Sequence, residues 1–278
     1  MSLWLMSLPE NSQIKKTSEN DWADSYFIID QVIRPDALER LYQVSGRVTA
    51  RRLFVGTDYA GLSDVGPVWI ALNGCQEAGL LAATMCQESL AGIAVSTKCS
   101  EDSAVAQAQY LLTMYCDGYG ESLCRYYDPR LWHALATTLK NTERLMGGWS
   151  EVLAPFITSE EEPKVAWLTY KNVKSHAALH EADSLVVGNE TLLQHKRVRW
   201  CFWLIQNSRL LRYQLSPDML QTSIDNLQLL VSYGIHESRH LRQVLPLLSD
   251  QSLAEDGEAM MILRSNLSAA QKIKSLEK

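Results

Sequence analysis

Long apolar runs are missing from this chain: the longest, Trp200 to Ile205, is far short of the ~20 residues that cross a bilayer as a helix. Residues 1–9 include Leu3, Trp4, Leu5, Met6 and Leu8, but they lack the basic n-region and the apolar length of a secretory leader. The expectation is a cytoplasmic protein, neither exported by the general route nor inserted in a membrane. C-x-x-C spacing is absent from Cys75, Cys86, Cys99, Cys116, Cys124 and Cys201. Four of these sit in apolar runs, where a free thiol behaves as a small hydrophobe, as suits a reducing compartment. Positive charge is not in excess either, with a net charge of -6 and a pI near 5.6. Nucleic acid and anionic membrane would repel such a chain at long range.

Most catalytic templates are also missing. There is no G-x-S-x-G elbow and no G-x-x-x-x-G-K loop, and Gly118-Tyr119-Gly120 is followed by Leu123 where a dinucleotide fingerprint needs glycine. Cys124 precedes Arg125, but its apolar setting reads as inert core. No cofactor is expected, and the chain reads as a non-enzyme.

What is present is an ordinary globular composition, 46% hydrophobic and 21% charged over 278 residues. Residues 1–20 read as an N-terminal segment open to flexibility, and residues 21–157 as an α/β lobe with a mixed sheet and covering helices. Strands are expected at Tyr26 to Ile29, Leu53 to Val55, Val68 to Leu72, Ile93 to Val95 and Leu123 to Tyr127. Helices are expected from Pro35 to about Gly46, over Glu77 to Ser89 and over Asp102 to Tyr115. The acidic, proline-terminated stretch 158–163 reads as a linker to a mainly helical lobe at 164–278. That lobe opens on a possible strand, Val165 to Tyr170. Helices follow near Leu192 to Ile205, Pro217 to Tyr233, His236 to Leu248 and from Glu258, the second capped by Ser216.

His236-Glu237-Ser238-Arg239-His240 is a literal H-E-x-x-H. Inside a helix, His236 and His240 could ligate zinc while Glu237 activates the bound water, which makes a zinc-dependent hydrolase the alternative reading. Three features oppose it. Tyr233-Gly234-Ile235 reads as a helix stop and restart, Arg239 would oppose a divalent cation, and no third ligand follows at metzincin spacing. The preferred reading is a surface histidine pair with no metal. A second pair, His176 and His180 beside Glu181, reads the same way.

Two polar segments stand out from the apolar framework. One is the loop Gly56-Thr57-Asp58-Tyr59-Ala60-Gly61-Leu62-Ser63-Asp64-Val65-Gly66-Pro67, which leads into the strand containing Trp69. The other is Arg125-Tyr126-Tyr127-Asp128-Pro129-Arg130-Leu131-Trp132. Asp128 as N-cap, Pro129 in the first turn and Trp132 on the packing face explain most of the second segment. Arg125, placed in a strand, wants a carboxylate, and Asp58 or Asp64 is the expected partner.

These two segments resemble the signature of a domain-of-unknown-function family whose members act as type VI secretion effector chaperones, or adaptors. The Tyr233-Gly234-Ile235 junction with Glu237 resembles the family's C-terminal end, so the likeness runs from about Tyr26 to Leu248, with nothing matched over Lys171 to Leu192. The resemblance implies a bacterial, non-catalytic protein that binds its cognate effector in the cytoplasm and helps load it onto the VgrG spike. Asp58, Tyr59, Asp64, Trp69, Arg125, Tyr127, Asp128, Arg130 and Trp132 are then family-motif or partner-binding residues. Lys196, Arg197, Arg199, Arg209 and Arg212 cluster in sequence and form a candidate patch for an acidic partner segment. A nucleic-acid module using that basic stretch is a third reading.

Overall fold

The computed structural model describes residues 22–116, 119–139, 142–158, 164–172, 184–213, 215–248 and 251–277, and a short strand at 12–15. The chain divides into two compact units, residues 8–156 with 165–198, and residues 1–7 and 157–164 with 199–278. The first is α/β and the second mainly helical. Of the expected linker 158–163, only Thr158 lies within the described residues.

A seven-stranded sheet organises the α/β unit. Its strands are β1 (Ser12–Lys15), β2 (Tyr26–Asp30), β3 (Thr49–Arg52), β4 (Pro67–Ala71), β5 (Gly92–Thr97), β8 (Trp149–Thr158) and β9 (Lys164–Lys171), in the order β1-β9-β8-β5-β2-β4-β3. The β2/β4, β2/β5, β3/β4, β5/β8 and β1/β9 ladders are antiparallel. A smaller sheet joins β6 (Thr113–Cys116), β7 (Gly120–Leu123) and β10 (Leu185–Val187) in the order β10-β6-β7, parallel on one side and antiparallel on the other. The strand at Val165 to Tyr170 is thus part of the large sheet.

Layers cover both faces of the large sheet, which is why β4 is buried at every position and reads in sequence as an unbroken apolar run. On one face Phe27, Ile29, Val68, Ile70 and Leu72 pack with Ala37 and Leu41 of α1 (Ala37–Val44) and with Ala78, Ala82 and Cys86 of α2 (Gln76–Ser89). Small residues let α2 sit close: a Cβ on Gly79 would stand 2.7 Å from Trp22 Cβ. Alternation sends Tyr26, Ile28 and Trp69 to the other face. There an aromatic series links Tyr26 to Trp69 (ring centroids 4.8 Å apart), Trp69 to Trp149 (6.4 Å) and Trp149 to Trp132 (6.2 Å). The helices on this side are α3 (Glu101–Tyr110), whose Ala104 carbonyl accepts from Trp149 Nε1 at 3.1 Å, and α4 (Pro129–Thr138), which carries Trp132.

Three sequence expectations are corrected here. Leu53 to Val55 is a turn after β3; Leu53 and Phe54 are buried as anchors, not as strand residues. The helix expected to reach Tyr115 ends at Tyr110, and Thr113–Cys116 becomes β6 because β7 and β10 supply ladder partners to its β-branched and aromatic residues. The strand expected at Leu123 to Tyr127 ends at Leu123, so Arg125 lies in the connection to α4. The ten-residue strand β8 was not anticipated.

After α5 (Thr142–Met146), the helix α6 (Asn189–Gln206) carries the chain on to the helical unit, which contains α7 (Pro217–Ser232), α8 (Ser238–Val244), α9 (Gly257–Arg264) and α10 (Ala269–Leu276). Ser216 Oγ accepts from the Met219 N–H at 3.3 Å and Pro217 occupies the first turn; of the face the spacing predicts, Leu220, Ile224 and Leu227 are buried and Val231 is half-buried. The helix stops at Gly234, whose φ of +90° suits glycine. Lys272 Nζ of α10 then donates to the Tyr233 carbonyl at 2.9 Å.

Candidate functional site

The Arg125 to Trp132 segment is a corner between β7 and α4. Asp128 is the N-cap of α4: its Oδ1 accepts from the Arg130 backbone N–H at 2.9 Å, and Pro129 takes the first turn. The Arg130 side chain returns to the same carboxylate, with Nε on Oδ1 at 2.9 Å and Nη2 on Oδ2 at 2.7 Å. Burial alone would raise the Asp128 carboxyl, but the hydrogen bond and charge of Arg130 outweigh it and hold it below its ordinary range. Tyr126 and Trp132 are fully buried, and Tyr126 lies 6.1 Å from Trp149.

Arg125 pairs with Asp30, the last residue of β2. This corrects the expected pairing with Asp58 or Asp64: Asp64 is engaged by Arg52, and Asp58 is exposed on the loop. The Asp30 side chain is only 2% exposed and its Oδ1 accepts the Val32 N–H at 2.9 Å, so both oxygens are used. Burial, reinforced by the negative charge of Asp30, pushes the Tyr127 hydroxyl well above its ordinary pKa. Asp30 closes an apolar strand run, and an acid at that place was the one sequence signal that could have marked it as the partner.

Next to this corner, His133 of α4 is fully buried. Its Nε2 faces the Pro155 carbonyl at 3.0 Å, and its Nδ1 faces the Tyr170 hydroxyl at 2.7 Å. A carbonyl only accepts, so Nε2 carries the proton and Nδ1 accepts from Tyr170. Burial lowers the His133 pKa to about 4 and keeps the ring neutral. Neither His133 nor Tyr170 was singled out from sequence.

The glycine-punctuated loop is differently built. Phe54 is buried at its start, the Tyr59 ring lies tilted against it with centroids 5.5 Å apart, and Thr57 Oγ1 donates to the Phe54 carbonyl at 2.8 Å. Trp69, downstream in β4, is core. Thus Trp69, Arg125, Tyr127, Asp128, Arg130 and Trp132 are drawn together in or beside one packed layer, whereas Asp58, Tyr59 and Asp64 belong to an outlying loop.

The H-E-x-x-H geometry does not form. Glu237 is the N-cap residue of α8, with ψ at 134°, so His236 and Glu237 precede the helix and the two histidines do not share a helical face. Glu237 pairs with Arg239 at 2.7 Å. Among the described residues, no group of three or more His, Cys, Asp and Glu side chains is placed to hold a metal ion. His176, His180 and Glu181 lie outside the described residues, as does Gly118. Gly120 opens strand β7 with φ +75° and does not stand ahead of a helix, so the dinucleotide context is missing.

Cys124 is buried and its thiol is pushed up to about 12, which fits inert core. Lys196, Arg197, Arg199, Arg209 and Arg212 are exposed, the first two in the α/β unit and the last three in the helical unit. Among the described residues, no helix is long and apolar enough to cross a membrane.

No curated protein and no solved structure matches the chain. One family model does, and it covers β2 through most of α5, including both polar segments but not the Tyr233 to Leu248 region. Residues 25–145 match the model of the family described as Domain of unknown function (DUF4123).

Proposed function

We propose that this chain is a non-catalytic adaptor that binds a cognate type VI secretion effector in the cytoplasm and helps load it onto the VgrG spike, remaining in the cell itself. The observation that carries this reading is the DUF4123 domain at residues 25–145, a family known in type VI secretion adaptors. The chemistry of the motif supports a binding role. Its charged groups are engaged with one another, Arg125 with Asp30 and Arg130 with Asp128, and its aromatic groups Trp69, Tyr126 and Trp132 are packed as core. An active site needs polar groups presented toward a substrate, and this corner spends its own on holding a fold.

The test is co-expression of the tagged chain with the effector encoded beside it and with VgrG. The expected result is a chain–effector complex that survives gel filtration, a further assembly on adding VgrG, and loss of effector secretion when this gene is deleted. No complex with the effector, or undiminished secretion without this gene, would overturn the reading.

A further inference from the structure

The loop from Val55 to Gly66 is clamped at its base and yet leaves apolar side chains in solvent. Gln109 Nε2, at the end of α3, donates to the carbonyls of Leu53 (3.2 Å) and Val55 (2.8 Å). Gly66 closes the loop against Phe54, so tightly that a Cβ there would stand 2.5 Å from the ring. Between these anchors Val55, Leu62 and Val65 are each more than half exposed. Singly such residues are ordinary, but a group of them beside another apolar face makes a patch.

That other face is the small sheet. The Tyr59 hydroxyl reaches Thr113 Oγ1 of β6 at 3.5 Å, bringing the loop to it. Alternation places Tyr115 on the same side of β6 as Thr113. Tyr115 pairs with Val186 of β10 and with Glu121 of β7. Leu185, Val187 and Cys116 are buried, while Tyr115 and Val186 stand 47% and 54% exposed.

Formal charge within the segments that form this surface has one sign. Residues 53–66, 113–116, 119–123 and 185–187 contain Asp58, Asp64 and Glu121 and no lysine or arginine. Arg52 engages Asp64, which leaves Asp58 and Glu121 as the exposed carboxylates with no cation on them among the described residues. We infer that this face docks a basic amphipathic segment of the effector, its apolar side chains against Leu62, Val65, Tyr115 and Val186 and its lysines or arginines toward Asp58 and Glu121.

The inference rests on the adaptor reading and adds the surface and the chemistry of the bound segment. Apolar contact supplies affinity, and the carboxylates set register and speed encounter. An acidic segment would be repelled. A second copy of this chain fits poorly, because a two-fold contact through this face would bring Asp58 and Glu121 toward their own equivalents.

Calorimetry of the full chain with the neighbouring-gene effector tests it, using Tyr115→Ser, Val186→Asp, Leu62→Ser and Glu121→Lys, and Arg264→Glu with Lys274→Glu, both at exposed positions, as a control. The expected result is a loss of about tenfold or more in affinity for Tyr115→Ser and Val186→Asp. Glu121→Lys should weaken binding and flatten its salt dependence, while the control binds as the parent does. Leu62→Ser, on the exposed loop, reports the same loss should a sheet variant melt early. Parental affinity in all the surface variants would overturn the inference and leave the adaptor reading standing. Absence of binding by the parent chain would overturn the adaptor reading and this inference with it. A dimer of the chain alone that Val186→Asp converts to monomer would assign the face to self-association, which also overturns it.

Discussion

Arg125 and Asp30, 95 residues apart in sequence, form an ion pair between the β7–α4 connection and the end of β2. The carboxylate is buried and the guanidinium half exposed, so the two partners are not equivalent. Removing the cation strands a buried negative charge, whereas removing the carboxylate frees a cation that can reach water.

Arg125→Met should therefore destabilise the fold more than Asp30→Asn does, by an amount on the order of 2–4 kcal/mol. The double variant should recover part of the loss. Asp58→Asn and Asp64→Asn should leave the melting temperature close to the parent's. Urea unfolding of the four variants and the double variant checks this; a cost at Asp58 equal to that at Arg125 would contradict the pairing.

His133 should make stability depend on pH in a defined window. Its folded pKa is depressed to about 4 from an ordinary 6.5, so between these values the unfolded chain binds a proton that the folded chain excludes. Stability from this group is complete above about pH 6.5, falls by roughly 3 kcal/mol as the pH drops to about 4, and then levels off. The urea midpoint followed across pH should lose slope in that window in a His133→Gln variant. An unchanged slope would contradict a neutral buried ring.

Gly92→Ala should be among the most damaging single-methyl changes in the α/β unit. A Cβ at Gly92 would stand 2.2 Å from the Ile28 carbonyl oxygen, a backbone atom held in the β2/β5 ladder. A cost of about 3 kcal/mol or insoluble expression is expected, read by urea unfolding. Gly46→Ala, with open space at its Cβ, serves as the control.

Thiol labelling should sort the cysteines by setting. Cys99 is exposed, and Cys75, at the start of α2, has its thiol pKa lowered by a hydrogen bond from Ser45 and by backbone N–H groups of the helix start. Both should react rapidly in the native protein. Cys86 and Cys124 should react only after denaturation, since burial pushes their thiols up.

Metal content separates the remaining chemical alternative. With Glu237 preceding α8 and engaged by Arg239, purified protein should carry well below one equivalent of zinc. Its melting temperature should not respond to a chelator. Stoichiometric zinc lost in His236→Ala and His240→Ala would restore the hydrolase reading.

Much of the local structure was legible in the residues. Asp128-Pro129 opening α4, Ser216-Pro217 opening α7 and the glycine stop at Gly234 all follow from groups within a few positions of each other. The unbroken apolar run of β4 pointed to a strand covered on at least one face, and the structure covers both. The stretch from Leu111 to Tyr115 reads as helix because its apolar spacing suits either period, and only β7 and β10 decide between them.

The sequence by itself determined the caps, the periodic faces and the failure of most catalytic templates, because each of these depends on neighbours along the chain. Tertiary structure alone decided that Arg125 belongs to Asp30, that His133 sits neutral between Pro155 and Tyr170, and that Tyr115, Val186 and the Asp58 loop share one surface. Those relationships join positions tens of residues apart. Their physical basis is the order in which strands enter the two sheets, which no local spacing encodes.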